Sequence, residues 1–167
     1  MNQLLESPQL EASTYWWMPA RQTVATKRIL VAEDDEAIRR LMSAALFGAG
    51  FVVKAVVDGE QAWEALHHEH FDLLLTDNEM PRLTGKALIG QIRKENISLP
   101  VIMASGNFSL ESAHTDPELR IAAVIPKPFD IVELLDTVRH VLQTSGGTAA
   151  ADQEDSRQLC ASPQPVR

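Results

Sequence analysis

An α/β fold, a doubly wound five-stranded parallel sheet with helices on both faces, is predicted by two patterns in this 167-residue chain. Short apolar runs alternate with stretches of helical periodicity, which is the order of parallel βα units. Four of those runs also stop at polar residues of different kinds. Ile29-Leu30-Val31-Ala32 reaches Glu33-Asp34, and Leu73-Leu74-Leu75-Thr76 reaches Asp77. Val101-Ile102-Met103-Ala104 ends at Ser105, and Ala122-Ala123-Val124-Ile125 leads through Pro126 to Lys127-Pro128. Ligands of open α/β sheets sit at the carboxyl ends of the strands, so these residues are expected to converge at one edge.

The elements follow in order. After the first strand, Ile38, Leu41, Met42, Ala45 and Leu46 keep the i, i+3, i+4, i+7, i+8 spacing of an amphipathic helix. Gly48 and Gly50 close that helix, because a helix end needs the backbone freedom of glycine. Residues 51–56 form the second strand, and Asp58-Gly59 is a turn able to cap a helix running to about His70. The third strand covers 72–76. Thr84-Gly85 opens a helix with Ala87, Leu88 and Ile92 on one face, and Pro100 breaks the chain before the fourth strand. Residues 109–119 are helical in parts, but Asp116-Pro117 predicts a short or irregular element. The fifth strand precedes Lys127, and Ile131, Leu134, Leu135, Val138, Val141 and Leu142 form the strongest helical stripe.

Three regions are expected: a loosely ordered extension over 1–26, a folded core over 27–143 and a disordered tail over 144–167, where Ser, Gly, Ala, Gln and Pro dominate. The tail is expected to hold no DNA-binding or catalytic output domain. The extension carries Tyr15-Trp16-Trp17, read either as an arm packing on its own domain, the preferred reading, or as an aromatic anchor for a partner. A net charge of −8 argues against nonspecific binding to nucleic acid or anionic membrane. No apolar stretch approaches spanning length and no signal-peptide pattern opens the chain, so no membrane insertion is expected. The single cysteine, Cys160, excludes an internal disulfide and points to a reducing compartment, most simply the cytoplasm.

The strand ends make one chemical argument. Glu33, Asp34 and Asp77 offer hard oxygen ligands to Mg²⁺, an ion that takes one or two carboxylates together with phosphate oxygens. The Lys127 ammonium suits a phosphate oxygen, and the Ser105 hydroxyl can donate a hydrogen bond to another. An aspartate held in this way can act as a nucleophile and form an acyl phosphate.

These residues, in order and spaced by βα units, resemble the receiver domain of bacterial two-component response regulators, a flavodoxin-like fold, from about Lys27 to Gln143. Within Thr76-Asp77-Asn78-Glu79-Met80-Pro81, the resemblance implies that Asp77 is the phosphoacceptor and that the backbone carbonyl of Glu79 is a third protein ligand to magnesium. It implies that Glu33 and Asp34 are the acidic metal pair, because the arginine that follows the pair in many members falls on Arg39. Asp35 is then a loop residue. Ser105 matches the switch hydroxyl, and Lys127-Pro128-Phe129 matches the lysine with its typically cis proline bond. Glu79 and Asn107, each two residues past a site residue, are expected to modulate acyl phosphate lifetime. One position departs: the family's Tyr or Phe three residues before the lysine is Val124, which has no ring to swing.

The function so implied is a stand-alone, chemotaxis-regulator-like response regulator. It would accept a phosphoryl group on Asp77 from a sensor histidine kinase or histidine phosphotransfer protein, and then bind an unknown downstream protein effector. The alternative is a phosphorylation-independent protein-binding module on the same fold, motivated by Val124. An enzyme fits poorly. The first strand ends in acids where a flavin phosphate needs a Gly/Ser/Thr loop, and Asp77-Asn78-Glu79 lacks the Asp-x-Asp of aspartate-nucleophile phosphatases. His67, His68 and His70 read as a solvated helix end rather than a metal site, and Trp63 as packing on the sheet or its rim.

Overall fold

A computed structural model describes residues 26–106 and 117–145. Five strands, β1 (Arg28–Ala32), β2 (Val52–Val56), β3 (Leu73–Asp77), β4 (Val101–Ser105) and β5 (Ala123–Pro126), form one sheet in the order β2-β1-β3-β4-β5. Every pairing is parallel. The described helices are α1 (Glu36–Gly48), α2 (Gly59–His68), α3 (Gly85–Lys94) and α4 (Ile131–Ser145), with a single 3-10 turn at Pro117–Leu119.

The central runs are apolar at every position because both faces of the sheet are covered. Alternate side chains enter different cores. Leu30, Ala32, Leu74, Val101 and Met103 pack with Ala62 and Ala65 of α2 and Leu88, Ile89 and Ile92 of α3. Ile29, Val31, Leu73, Leu75, Ile102 and Ala104 pack with Met42 and Leu46 of α1 and Leu134, Val138 and Val141 of α4. Trp63, from α2, lies half-buried against the first core, as its expected place on the sheet requires.

Side-chain oxygens set the helix starts. Asp35 Oδ1 accepts from the N–H groups of Ala37 and Ile38 at 2.8 and 3.0 Å. Asp58 Oδ1 accepts from Gln61 at 2.8 Å, Thr84 Oγ1 from Ala87 at 3.3 Å and Asp130 Oδ1 from Glu133 at 2.7 Å. Each satisfies an N–H that has no partner within its helix. Gly48 is the last residue of α1, and Gly50 beyond it takes φ 93°, a conformation that favours glycine.

Several boundaries differ by a residue or two from expectation, and three of the differences have a visible cause or consequence. The second helix stops at His68, where Glu69 turns away to pair with Lys54 and Arg28 instead of continuing the helix. The third strand runs through Asp77, which pairs with Ala104. The last helix continues to Ser145, with Thr144 Oγ1 donating to the carbonyls of His140 and Val141. Of the predicted irregular element at 109–119, the described part is the 3-10 turn that Pro117 opens; the rest, with Asn107, lies outside the described residues. So do the expected extension and tail, except for residue 26 and Thr144 and Ser145 within α4.

At the amino-terminal end of the sheet, Asp72 joins the first and third strands. Its carboxylate accepts from Lys27 Nζ and from the Arg28 backbone N–H, each at 2.8 Å. Burial pushes the Asp72 carboxyl up, but these donors outweigh it and hold the group below its ordinary value. A depressed folded-state pKa contributes stability above the unfolded value, lost as pH falls through the folded one. Asp72→Asn should therefore lower stability by about 1 kcal/mol at pH 7. In urea titrations at successive pH values, its gap from wild type should close below the ordinary aspartate value of 3.8. A gap that persists unchanged at acid pH would assign the loss to geometry instead.

Candidate phosphoacceptor and metal site

Strand register brings the expected residues to one edge. Ala32, the last residue of β1, pairs with both Val56 and Thr76, so Glu33 and Asp77 leave adjacent strands at the same level. Asp77 pairs with Ala104, and Ser105 with Pro126, which puts Ser105 and Lys127 one step further along that edge. The first strand pairs with the second on one side and the third on the other, so a crevice opens between β1 and β3 where successive connections run to opposite faces.

Ligand oxygens of Glu33, Asp34 and Asp77 lie within 4.8 Å of one another. Glu33, 1% exposed, and Asp77, 6% exposed, are buried, while Asp34 faces solvent. Lys127 Nζ reaches Glu33 Oε2 at 2.8 Å, Glu33 Oε1 at 3.0 Å and Asp77 Oδ2 at 3.2 Å. Burial raises the Glu33 carboxyl above its ordinary value, helped by the Asp77 charge and opposed by Lys127. Burial pulls the Lys127 ammonium down, but hydrogen bonding and attraction to Glu33 and Asp77 prevail and raise it. The two acids thus favour the charged form of the lysine. Three carboxylates and one ammonium leave a surplus of negative charge at this edge. A hard divalent cation held by oxygen donors matches that surplus and those ligand types.

The surrounding backbone is fixed by specific contacts. Arg39 Nη1 donates to the carbonyls of Glu33 and Asp34 at 2.8 and 3.0 Å, drawing the loop after β1 toward the start of α1. Asp35 caps that helix and is absent from the oxygen cluster, consistent with its reading as a loop residue. Asp77 Oδ1 accepts from the Asn78 N–H at 2.7 Å, and the Lys127 N–H donates to the Ser105 carbonyl at 3.0 Å. The Ser105 side chain is buried. The Lys127–Pro128 bond is cis, and Pro126 is the last residue of an edge strand. Glu79 is exposed, in the loop that follows Asp77.

Two features of this loop have no clear signal in the sequence. The Gly85 N–H donates to the Asn78 carbonyl at 3.1 Å, and a Cβ at Gly85 would collide with the carbonyl oxygen of Asp77. Glycine is thus required by close backbone approach, although Thr84-Gly85 reads only as a helix start. Asp58, fully buried, pairs with Arg82, which adopts a left-handed conformation at φ 64°. The pair ties the loop after β3 to the start of α2. Away from the site, exposed His67 meets Glu95 at 3.4 Å and contacts the Trp63 ring edge-on. Val124 is half-buried in β5 and pairs with Met103.

Removing the ammonium should strand a buried acid. Lys127→Met should cost about 3 kcal/mol in urea unfolding with divalent cations chelated. Adding Glu33→Gln should recover much of that loss. A double variant no more stable than Lys127→Met would show that charge compensation is not what the lysine supplies.

Comparison with known proteins agrees with this geometry. A family model described as the response regulator receiver domain matches residues 29–139. The response regulator receiver protein CpdR of Brucella abortus is 36% identical over 117 residues, covering 70% of this chain and 97% of that protein. The DNA-binding transcriptional regulator NtrC of Escherichia coli K12 is 34% identical over 114 residues, 68% of this chain. The match spans only 24% of NtrC, about a quarter of that relative's length. Among solved structures, the receiver domain of Francisella response regulator 1452 superposes with a TM-score of 0.67 at 28% identity, covering 72% of this chain and 99% of its own. The Vibrio cholerae chemotaxis protein CheY4 superposes with a TM-score of 0.66 at 27% identity, covering 70% and 99%. No described helix is long and apolar enough to cross a membrane. By sequence, fold and the placement of its polar strand ends, the chain belongs to the response regulator receiver domain family of two-component systems.

Proposed function

We propose that this receiver accepts a phosphoryl group on Asp77 and signals by phosphorylation-dependent protein binding. The observation that carries the reading is the clustering of the Glu33, Asp34 and Asp77 oxygens beside the Lys127 ammonium. A magnesium ion held by Glu33, Asp34, Asp77 and the Glu79 carbonyl would neutralise charge between the acids and an incoming phosphoryl group.

The chain's own residues do the rest. A carboxylate oxygen of Asp77 attacks phosphorus, the phosphorus–nitrogen bond to a histidine donor breaks, and the departing imidazole retains the electron pair and takes a proton. The Asn78 N–H, already on Asp77 Oδ1, holds the carboxylate in place. Lys127 supplies positive charge to a phosphoryl oxygen, and the Ser105 hydroxyl donates a hydrogen bond to another. Turnover is limited to self-catalysed phosphoryl transfer and hydrolysis of the acyl phosphate, so the protein acts as a switch, not as an enzyme on a free substrate.

The donor in this reading is a sensor histidine kinase or histidine phosphotransfer protein, and the setting is the cytoplasm. The receiver unit in this reading is 27–143, and α4 runs on to Ser145. Signalling then requires that the phosphoryl group interact differently with two conformations, through Ser105 and Lys127. Val124 favours a second reading, in which a protein partner binds the receiver irrespective of phosphorylation, because an aromatic swing is absent at that position.

Incubation with acetyl phosphate and Mg²⁺ followed by intact mass should show one phosphoryl adduct on wild type. Asp77→Asn should lose it, and chelation of the metal should suppress it more than tenfold. An adduct that survives Asp77→Asn would overturn Asp77 as the acceptor. Partner affinity that is identical with and without beryllofluoride would support the second reading.

A further inference from the structure

A groove of about 750 Å³ lies at the end of the sheet opposite the acidic edge, between the C-terminal turn of α3, the start of β4 and the turn before β5. Its floor includes Ile97, Leu99 and Leu119. Three cations line it, Arg93, Lys94 and Arg120, against one carboxylate, Glu118.

The cations are not equivalent. Arg93 is committed to the fold: its guanidinium donates to the carbonyls of Leu119, Ile97, Leu99 and Arg120 at 2.9 to 3.2 Å. Burial, and then the neighbouring charge of Arg120, lower its pKa from the ordinary value. Lys94 and Arg120 are exposed and have no ion-pair partner among the described residues. The groove therefore concentrates positive charge that the described fold leaves uncompensated, on a protein of net charge −8.

The chain itself supplies a complement. Ser145, the last residue of α4, lines this groove, and Gly146-Gly147 follow it directly, residue types that let a chain reverse at a helix end. Next come Thr148 and three alanines, then Asp152-Gln153-Glu154-Asp155. Asp152 is seven positions beyond Ser145. At ~3.3 Å per residue the acidic segment can reach any part of the groove.

We propose that the acidic segment Asp152–Asp155 docks in this groove on its own domain, with its carboxylates on Lys94 and Arg120. Tethering supplies an effective concentration on the order of millimolar, so the segment needs far weaker contacts to dock than a free peptide would. An acidic protein segment seeking the same surface must displace it. The docking does not depend on phosphorylation of Asp77.

Cys160 is the only cysteine and lies five positions past Asp155, so a nitroxide placed there reports where the segment sits. In full-length ¹⁵N-labelled protein, amide signals of residues 94–99 and 120–122 should be selectively attenuated relative to residues 52–56 of β2. Attenuation should fall at least threefold in the full chain carrying Asp152→Asn, Glu154→Gln and Asp155→Asn. It should fall equally in Lys94→Glu/Arg120→Glu and in 0.5 M salt, because screened charges carry the contact. Attenuation unchanged by these substitutions, or focused on another face, would overturn the proposal. Groove amides that move equally with added inorganic phosphate in wild type and in the neutralised chain would also overturn it, as a free-anion site. Attenuation between labelled and unlabelled chains in a mixture would assign the segment to a second copy and reject self-docking.

Discussion

The concentration of negative charge at the carboxyl edge of β1 and β3 is the constraint on which the rest of this structure depends. Glu33 and Asp77 are buried, and their oxygens lie with that of Asp34 inside 4.8 Å. Carboxylates so placed repel each other strongly in a low-dielectric setting. A mobile loop would let them separate. Here the backbone forbids it: Arg39 holds the carbonyls of Glu33 and Asp34, and the Asn78 N–H holds Asp77 Oδ1. Lys127 closes the cluster from β5's side, with its own N–H tied to the Ser105 carbonyl. The apolar sheet beneath serves as a rigid floor, since its strands are packed on both faces. Strand register and the Lys127 N–H bond to the Ser105 carbonyl together determine where the compensating charge arrives.

Much of this was legible in the sequence because it rests on abrupt changes of residue type. A buried parallel strand is apolar throughout, so the first acid, hydroxyl or lysine after it marks the strand end and the ligand edge together. Glu33, Asp77, Ser105 and Lys127 were visible for that reason. The choice between Glu33-Asp34 and Asp34-Asp35 was not available from charge alone. It came from the resemblance through Arg39, and the structure supplies a physical reason: Asp35 is occupied in capping α1. What remained illegible depends on distances between elements far apart in sequence. The Asp58–Arg82 pair joins two loops, and Asp58 alone reads as an ordinary helix cap. The requirement for Gly85 arises only when the Asp77 carbonyl passes close beneath it. The His67–Glu95 contact bridges α2 and α3 in the same unannounced way.

The two ends of the sheet handle charge differently, and the difference separates stability from function. At the amino-terminal end, Asp72 is matched by Lys27, and Glu69 by both Arg28 and Lys54. Cations there meet or exceed the acids, and the pairs pin β1, β2 and β3 to one another. Such partly exposed pairs contribute modestly each, and they leave no charge seeking an outside partner. At the carboxyl end, the buried acids outnumber the single lysine. An arrangement optimised only for folding would neutralise or remove Glu33, because an unbalanced buried carboxylate opposes folding. Its presence beside Asp77 marks the edge as a place where a further positive charge belongs, while the ion pairs of Asp72 and Glu69 keep the strands in register to hold it there. The groove around Lys94 and Arg120 carries the opposite imbalance, an excess of cations over Glu118, the one carboxylate among the described residues that line it.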